Sequence, residues 1–323
     1  MKKLASGIIR FSSSWTGTII IVLVFVFFIA QSFVIPSGSM KRTLLIGDFL
    51  FAKKFAYGIP LPEIPILGIK VLPDFNGNGH LIAGKGPKRG DIVIFYVPTN
   101  KKQHFVKRCV AVGGDELLYY DKHLLLHPHE GDEYIKKHYN NSKIIKAMGK
   151  LWVVNPYKDK FPGIQYMPES ERNSFEEMVI RLAYPKYMPD MKPIYIPNLD
   201  APVVGMYKEP FNAFYKKVEP NHYYMMGDNR DNSDDSRFWG SVPYKLIIGK
   251  PWVTYFSIEF RSYDRVAKGI GGGKDHYLLK KICKGVDIYS NECKQRWNRY
   301  RFTIRWDRMF RNIDKMQYEK PTI

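Results

Sequence analysis

Thr16-Gly17-Thr18-Ile19-Ile20-Ile21-Val22-Leu23-Val24-Phe25-Val26-Phe27-Phe28-Ile29-Ala30-Gln31-Ser32-Phe33-Val34-Ile35 runs directly into Pro36-Ser37-Gly38-Ser39-Met40. The first part is uncharged over about 20 residues, and at about 1.5 Å per helical residue it reaches about 30 Å, the thickness of a hydrocarbon core. It predicts a membrane anchor over 16–35. A cleavable leader fits less well, because cleavage after Ala30 would leave bulky Phe28 where a small residue is needed. A buried core helix also fits less well, since the run is apolar on every face and stands at one end of a polar chain. Lys2, Lys3 and Arg10 mark 1–15 as cytoplasmic and everything after Ile35 as exterior. A hydroxyl tethered just outside a bilayer can act on something else that emerges at the same height. That makes Ser39 the first nucleophile candidate.

About 290 residues follow the anchor, enough for one large or two modest domains with real cores. Prolines and glycines are scattered, and β-branched and aromatic residues are abundant without long helical periodicity, so the exterior part reads as mainly β. Strand-like runs stand at 49–51, 91–97, 105–112, 222–226 and 252–258, bounded by turn formers such as Gly113-Gly114-Asp115 and Gly227-Asp228-Asn229. Between 116 and 220 the composition shifts to Tyr, Lys, His and Pro with few alternating strands, which predicts an inserted lobe. The main β core is then 36–115 with 221–323. Gly269 to Lys274 lacks the first glycine and the Ser/Thr of a phosphate loop and reads as a flexible turn.

The net charge of +19 is concentrated late, where Lys280 to Lys315 interleave with Trp297, Tyr300, Phe302, Trp306 and Phe310. On a tethered protein this mixture suits anionic lipid headgroups. Nucleic acid is not expected as a partner, since no recognition motif accompanies the charge. Cys283 and Cys293 are near enough in sequence to close a small loop in an oxidising compartment, leaving Cys109 unpaired. Eight histidines include no His-Glu-x-x-His, no zinc spacing is present, and no metal or cofactor is expected.

A serine needs a base to attack a carbonyl at neutral pH, and no histidine here has a convincing setting. A desolvated lysine can serve instead. Lys107, in Gln103-His104-Phe105-Val106-Lys107-Arg108-Cys109-Val110-Ala111-Val112, shares a strand face with Phe105 and Cys109 by alternation. A third segment, Gly227 to Gly240, is dense in hydroxyls, amides and opposed charges that could brace such a lysine. It lacks the glycine and final glutamate of an EF-hand loop.

In series, Pro36 to Met40 with Thr43-Leu44-Leu45-Ile46-Gly47-Asp48, then Lys88-Arg89-Gly90-Asp91-Ile92-Val93 leading to Val106-Lys107-Arg108, then Gly227 to Gly240, closely resemble bacterial type I signal peptidases. These are membrane-bound Ser-Lys endopeptidases that remove signal peptides from exported preproteins. Phe302 to Trp306 is similar to the family's terminal strand. The resemblance implies a single-pass protein of the bacterial inner membrane with a β-barrel-like catalytic core on the periplasmic side. It further implies Ser39 as nucleophile, Lys107 as general base, the Ser39 N–H and Ser37 hydroxyl as oxyanion hole, and Ser233 hydrogen-bonded to Lys107. Arg108, Asp228, Asp235 and Arg237 would support this frame, and Ile35, Pro36, Met40, Leu44, Phe105 and Val106 would line shallow apolar pockets for small substrate side chains. One departure is Lys41-Arg42 before Thr43, where many members have proline. Two other functions compete: a specialised peptidase for one pilus or conjugation protein, and an inactive membrane-anchored scaffold.

Overall fold

A computed structural model describes residues 10–24, 30–64, 69–168, 173–205, 209–268 and 273–321. The protein is mainly β. Nine strands form one antiparallel sheet whose main path runs Ala30–Val34, Asp48–Lys53, Ile247–Phe260, Ile92–Val97, Asn100–Val112, His222–Met226, Val242–Pro243. The short strands Phe302–Ile304 and Arg311–Asn312 add to Ile247–Phe260. That 14-residue strand joins the halves of the sheet, pairing Asp48–Lys53 along most of its length and Ile92–Val97 near its start. Its register shifts let it bend as it passes from one neighbour to the other. The sheet curls far enough for the Phe33 ring to meet His104, with centroids 5.4 Å apart, although their strands are not hydrogen-bonded neighbours.

The anchor boundary is corrected. The described part of the apolar run is a helix, Trp15–Val24, and 25–29 lie outside the described residues. Ala30–Val34 is a strand, each residue paired in register with Phe49 to Lys53, so these residues belong to the nine-stranded sheet. Phe33 and Val34 satisfy strand preference as well as helix hydrophobicity, and a waiting partner edge decides between them. No helix among the described residues is long and apolar enough to cross a membrane.

Residues 116–217 hold a second, six-stranded antiparallel sheet, more strand than the composition of this stretch suggests. Its core of Leu117, Tyr119, Leu125, Trp152, Phe175 and Phe214 continues into Val110, Tyr224 and Met226 of the first sheet. The late basic stretch is partly helical, with Gly273–Ile282 and Asn291–Trp297 between the strands ending at Phe260 and starting at Phe302. Cys283 and Cys293 are disulfide-bonded there, and Cys109 is free and buried. Trp297 is not at a lipid interface: it is fully buried with both cysteines, Leu279 and Val266. This is the small core that lets two short helices persist, since helices of this length are marginal alone. The predicted Gly269 turn falls on 269–272, outside the described residues.

Candidate active site

Ser39 lies in a single 3-10 turn, Gly38–Met40, just beyond the strand Ala30–Val34. The turn is pinned from the facing loop. The Asn229 N–H donates to the Ser39 carbonyl at 3.0 Å, and Asn229 Nδ2 donates to that of Gly38 at 3.1 Å. Gly227 permits this approach, because a Cβ there would stand 2.5 Å from the Ser39 carbonyl oxygen and 2.3 Å from Ser233 Oγ. Met40, buried beneath, accepts from the Asp228 N–H through its sulfur at 3.4 Å.

Lys107 arrives from Asn100–Val112, where it pairs with Val93, and its side chain is buried. Its Nζ donates to Ser39 Oγ at 2.5 Å and lies 4.8 Å from the centre of the Phe105 ring. Burial pushes the ammonium pKa down to about 8, against the pull of Asp235, Asp234 and Asp228 toward the charged form. About one lysine in ten would then be neutral at pH 7, against fewer than one in a thousand at an ordinary pKa. Ser37 Oγ is 3.4 Å from Ser39 Oγ. Ser233 requires a correction: its hydroxyl is buried beside Gly227 but makes no well-formed hydrogen bond, to Lys107 or to any other of the described residues. It is near enough to the Asp235 carboxylate to help hold that group ionised.

The four supporting residues form two fully buried ion pairs. Arg108 grips Asp228 with two bonds of 2.8 and 2.7 Å and also donates to the Gly90 carbonyl and Gln317 Oε1. Thr43 donates to the same aspartate at 2.5 Å. Arg237 holds Asp235 through Nε and Nη2 and reaches Ser174 of the inserted lobe at 2.7 Å. Asp228 and Asp235 stay below the usual carboxylate range although burial opposes it, chiefly because these guanidinium groups face them.

A groove of about 810 Å³ opens beside Ser39 and Lys107. One wall is Gln31 to Met40, the other His104 to Val106, with Asn232 and Asp234 at the rim. Ile35, Pro36, Met40, Phe105 and Val106 line it as expected. Leu44 does not; it is fully buried in the core with Ile35, Met40 and Ile94. A cavity of equal size, lined by Lys85, Arg89, His129 and Tyr157, contains none of the predicted site residues. At its edge the ligand atoms of Asp115, His129 and Glu130 lie within 4.8 Å of one another, but Arg89 hydrogen-bonds to all three.

The sequence model described as "Signal peptidase, peptidase S26" matches residues 8–256. The chain belongs to the signal peptidase S26 family. It is therefore a serine peptidase by family. Signal peptidase I of Helicobacter pylori (strain J99) is 42% identical over 318 residues, covering 98% of this chain and 96% of that one. Signal peptidase I of Pseudomonas aeruginosa (strain PAO1) is 29% identical over 77% of this chain and 73% of that one, and that of Aquifex aeolicus (strain VF5) is 29% identical over 71% and 77%.

Sequence reasoning about this signal peptidase relative missed several residues that hold the turn carrying Ser39. Asn229 has no motif beyond its neighbourhood. Asp48 is buried and takes Arg308 by two bonds of 3.1 and 2.7 Å, while Arg308 also donates to the Thr43 carbonyl. Asp48 lay inside the quoted motif; Arg308 lay among many late arginines, and nothing local singled it out. Two members of the supposedly lipid-facing stretch, Arg305 and Arg308, therefore brace the turn after Ser39 instead, Arg305 through the carbonyls of Ile46 and Ile258.

Proposed function

We propose that this chain is a membrane-anchored signal peptidase I that removes N-terminal signal peptides from exported preproteins, with Ser39 as nucleophile and Lys107 as general base. The observation that carries the reading is the 2.5 Å contact between Lys107 Nζ and Ser39 Oγ in a buried setting on the wall of a peptide-sized groove. Neutral Lys107 takes the hydroxyl proton as Oγ attacks the scissile carbonyl. The Ser39 N–H and Ser37 hydroxyl stabilise the oxyanion. The resulting ammonium protonates the leaving amine, and the same lysine, neutral again, activates the water that hydrolyses the acyl-enzyme. The two ion pairs keep this pair in place: Asp228 holds Met40 and Thr43, and Asp235 accepts from the Gly227 N–H.

The substrate reading rests on the groove. Among the described residues Ala30–Val34 ends the sheet, and the outer part of Asn100–Val112, before Arg108, pairs on one side, with Ile92–Val97, so two strand edges face a groove that an extended peptide can pair with. Apolar walls beside Ser39 suit small side chains, the pattern at signal-peptide cleavage sites. Anchoring draws on the uncharged run before Ala30 and on exposed Ile46, Phe260, Phe302 and Trp306, grouped near the end of Ile247–Phe260. Exposed Lys280, Lys281, Lys284 and Arg301 would meet anionic headgroups on a periplasmic membrane face.

The test is incubation of the full-length, detergent-solubilised protein with a preprotein, followed by mass mapping of the cut. Cleavage after a small residue at the end of the signal peptide is expected, with none by Ser39→Ala or Lys107→Ala. Processing by either variant at near the wild-type rate would end the assignment.

A further inference from the structure

The groove continues past the reacting pair. Beyond Phe105 its walls carry Phe33 and His104, and His104 lies against Tyr96 with centroids 4.7 Å apart. Next to them a second cavity of about 480 Å³ opens, sharing Gln31 with the groove and lined by Tyr96, Leu61, Ile248 and four charged side chains. His104 Nε2 is buried and has no hydrogen-bond partner among the described residues. An unpaired ring nitrogen shut off from water is costly, so a substrate group that turns the ring or parts its cover and bonds to it recovers that cost. Burial lowers the imidazole pKa, with Lys54 adding to the effect and Glu63 opposing it, so the ring is neutral at neutral pH and can donate or accept. Lys54 and Lys245 balance Glu63 and Asp74 around the second cavity, so no net charge there favours an ionised side chain.

We propose that His104 and Gln31 form a polar subsite that reads an uncharged hydrogen-bonding side chain, Ser, Thr, Asn or Gln, about four residues N-terminal of the scissile bond. The inference rests on the peptidase reading. His104 stands three residues before Lys107 on its strand, and an extended peptide advances in step at about 3.3 Å per residue. Gln31 precedes Ser39 on the strand Ala30–Val34 and lies toward the apolar run in sequence, so the membrane-held N-terminal part of the substrate is assigned to that side. A longer side chain such as Gln would reach toward the second cavity.

The experiment varies one preprotein at each position from two to six residues before the cut, with Gln, Leu, Glu or Lys, and compares full-length wild type with His104→Phe. Phenylalanine keeps a flat ring against Phe33 and Tyr96 but removes both nitrogens. Wild type is expected to favour Gln over Leu about fivefold or more in kcat/KM near position four, because leucine leaves Nε2 unpaired. His104→Phe should bring that ratio to about one, mainly through KM. Each ratio is taken within one preparation, so it does not depend on how much of the variant is folded. A wild-type profile that does not distinguish Gln from Leu at these positions, or a His104→Phe profile that keeps the distinction, overturns the subsite. Failure of wild type to cut any preprotein overturns the peptidase reading itself, so the two failures are told apart.

Discussion

Lys107 and Arg108 are consecutive residues on one strand, both cationic and both buried, and they serve opposite ends. Alternation turns them to opposite sides. Arg108 meets a carboxylate through two parallel bonds, with further donors satisfied by Gly90 and Gln317 and its guanidinium 3.7 Å from the centre of the Phe161 ring. Lys107 makes no ion pair among the described residues and instead donates to a hydroxyl beside an aromatic ring. A buried charge with a partner is a fixed part of the frame; one without a partner is driven toward its neutral form. The difference shows how one strand can carry both a cation with a lowered pKa and one locked into the frame.

Lys107→Met should lower kcat by about ten-thousandfold, and combining it with Ser39→Ala should add little, because nucleophile and base act as a unit. Lys107→Arg should fail equally, since guanidinium does not deprotonate in this range. In the wild type the rate should climb as pH rises through about 8, the value to which burial lowers Lys107. A flat profile between pH 6 and 9, measured by single-turnover cleavage, would remove Lys107 from the role of base.

Stability should respond with opposite signs at the two neighbours. Arg108→Met strands Asp228 as an unpaired buried carboxylate and should cost about 3 to 5 kcal/mol in denaturant unfolding. Lys107→Met should stabilise. The lysine pKa falls from 10.5 unfolded to about 8 folded, so the unfolded chain binds more protons between these values and wild-type stability rises with pH across that window. The gain from Lys107→Met should therefore be largest below pH 8, up to about 3 kcal/mol less the lost hydrogen bond, and fade toward pH 10.5. Equal destabilisation by both variants at pH 7 would erase the distinction drawn between them.

The smallest effect should come from Asn229→Ala. It removes the Nδ2 bond to the Gly38 carbonyl but leaves the backbone bond to Ser39. A loss of about 1 kcal/mol, read as a several-fold drop in kcat with KM little changed, fits a residue that positions the nucleophile turn. A change confined to KM would place Asn229 in substrate binding instead.

The mainly β character, the five strand-like runs and the brought-together segments of the site were legible because each is a local property: apolar alternation, turn residues, and short patterns in a particular order. Lys107 was legible only jointly with Ser39, since a lysine two positions from a phenylalanine on a strand is ordinary by itself. Arg308, Asn229 and Ser174 were not legible, because each acts across 63 to 265 residues of chain through a contact that no local pattern encodes. Ala30–Val34 and Trp297 were misread for a related reason. Hydrophobicity says that a residue leaves water, but whether it enters lipid, a sheet or a small disulfide-bonded core depends on what lies nearby.

From the sequence alone came the family, the apolar run, the identity of the candidate nucleophile and base, and the set of charged residues able to support them. These follow from composition and order along the chain. Tertiary structure decided which cations are paired and which is desolvated, which strand edges remain open to a peptide, and how far the groove extends past Ser39. Those are matters of distance and burial, and both are set by the curl of the sheet that brings residue 33 against residue 104.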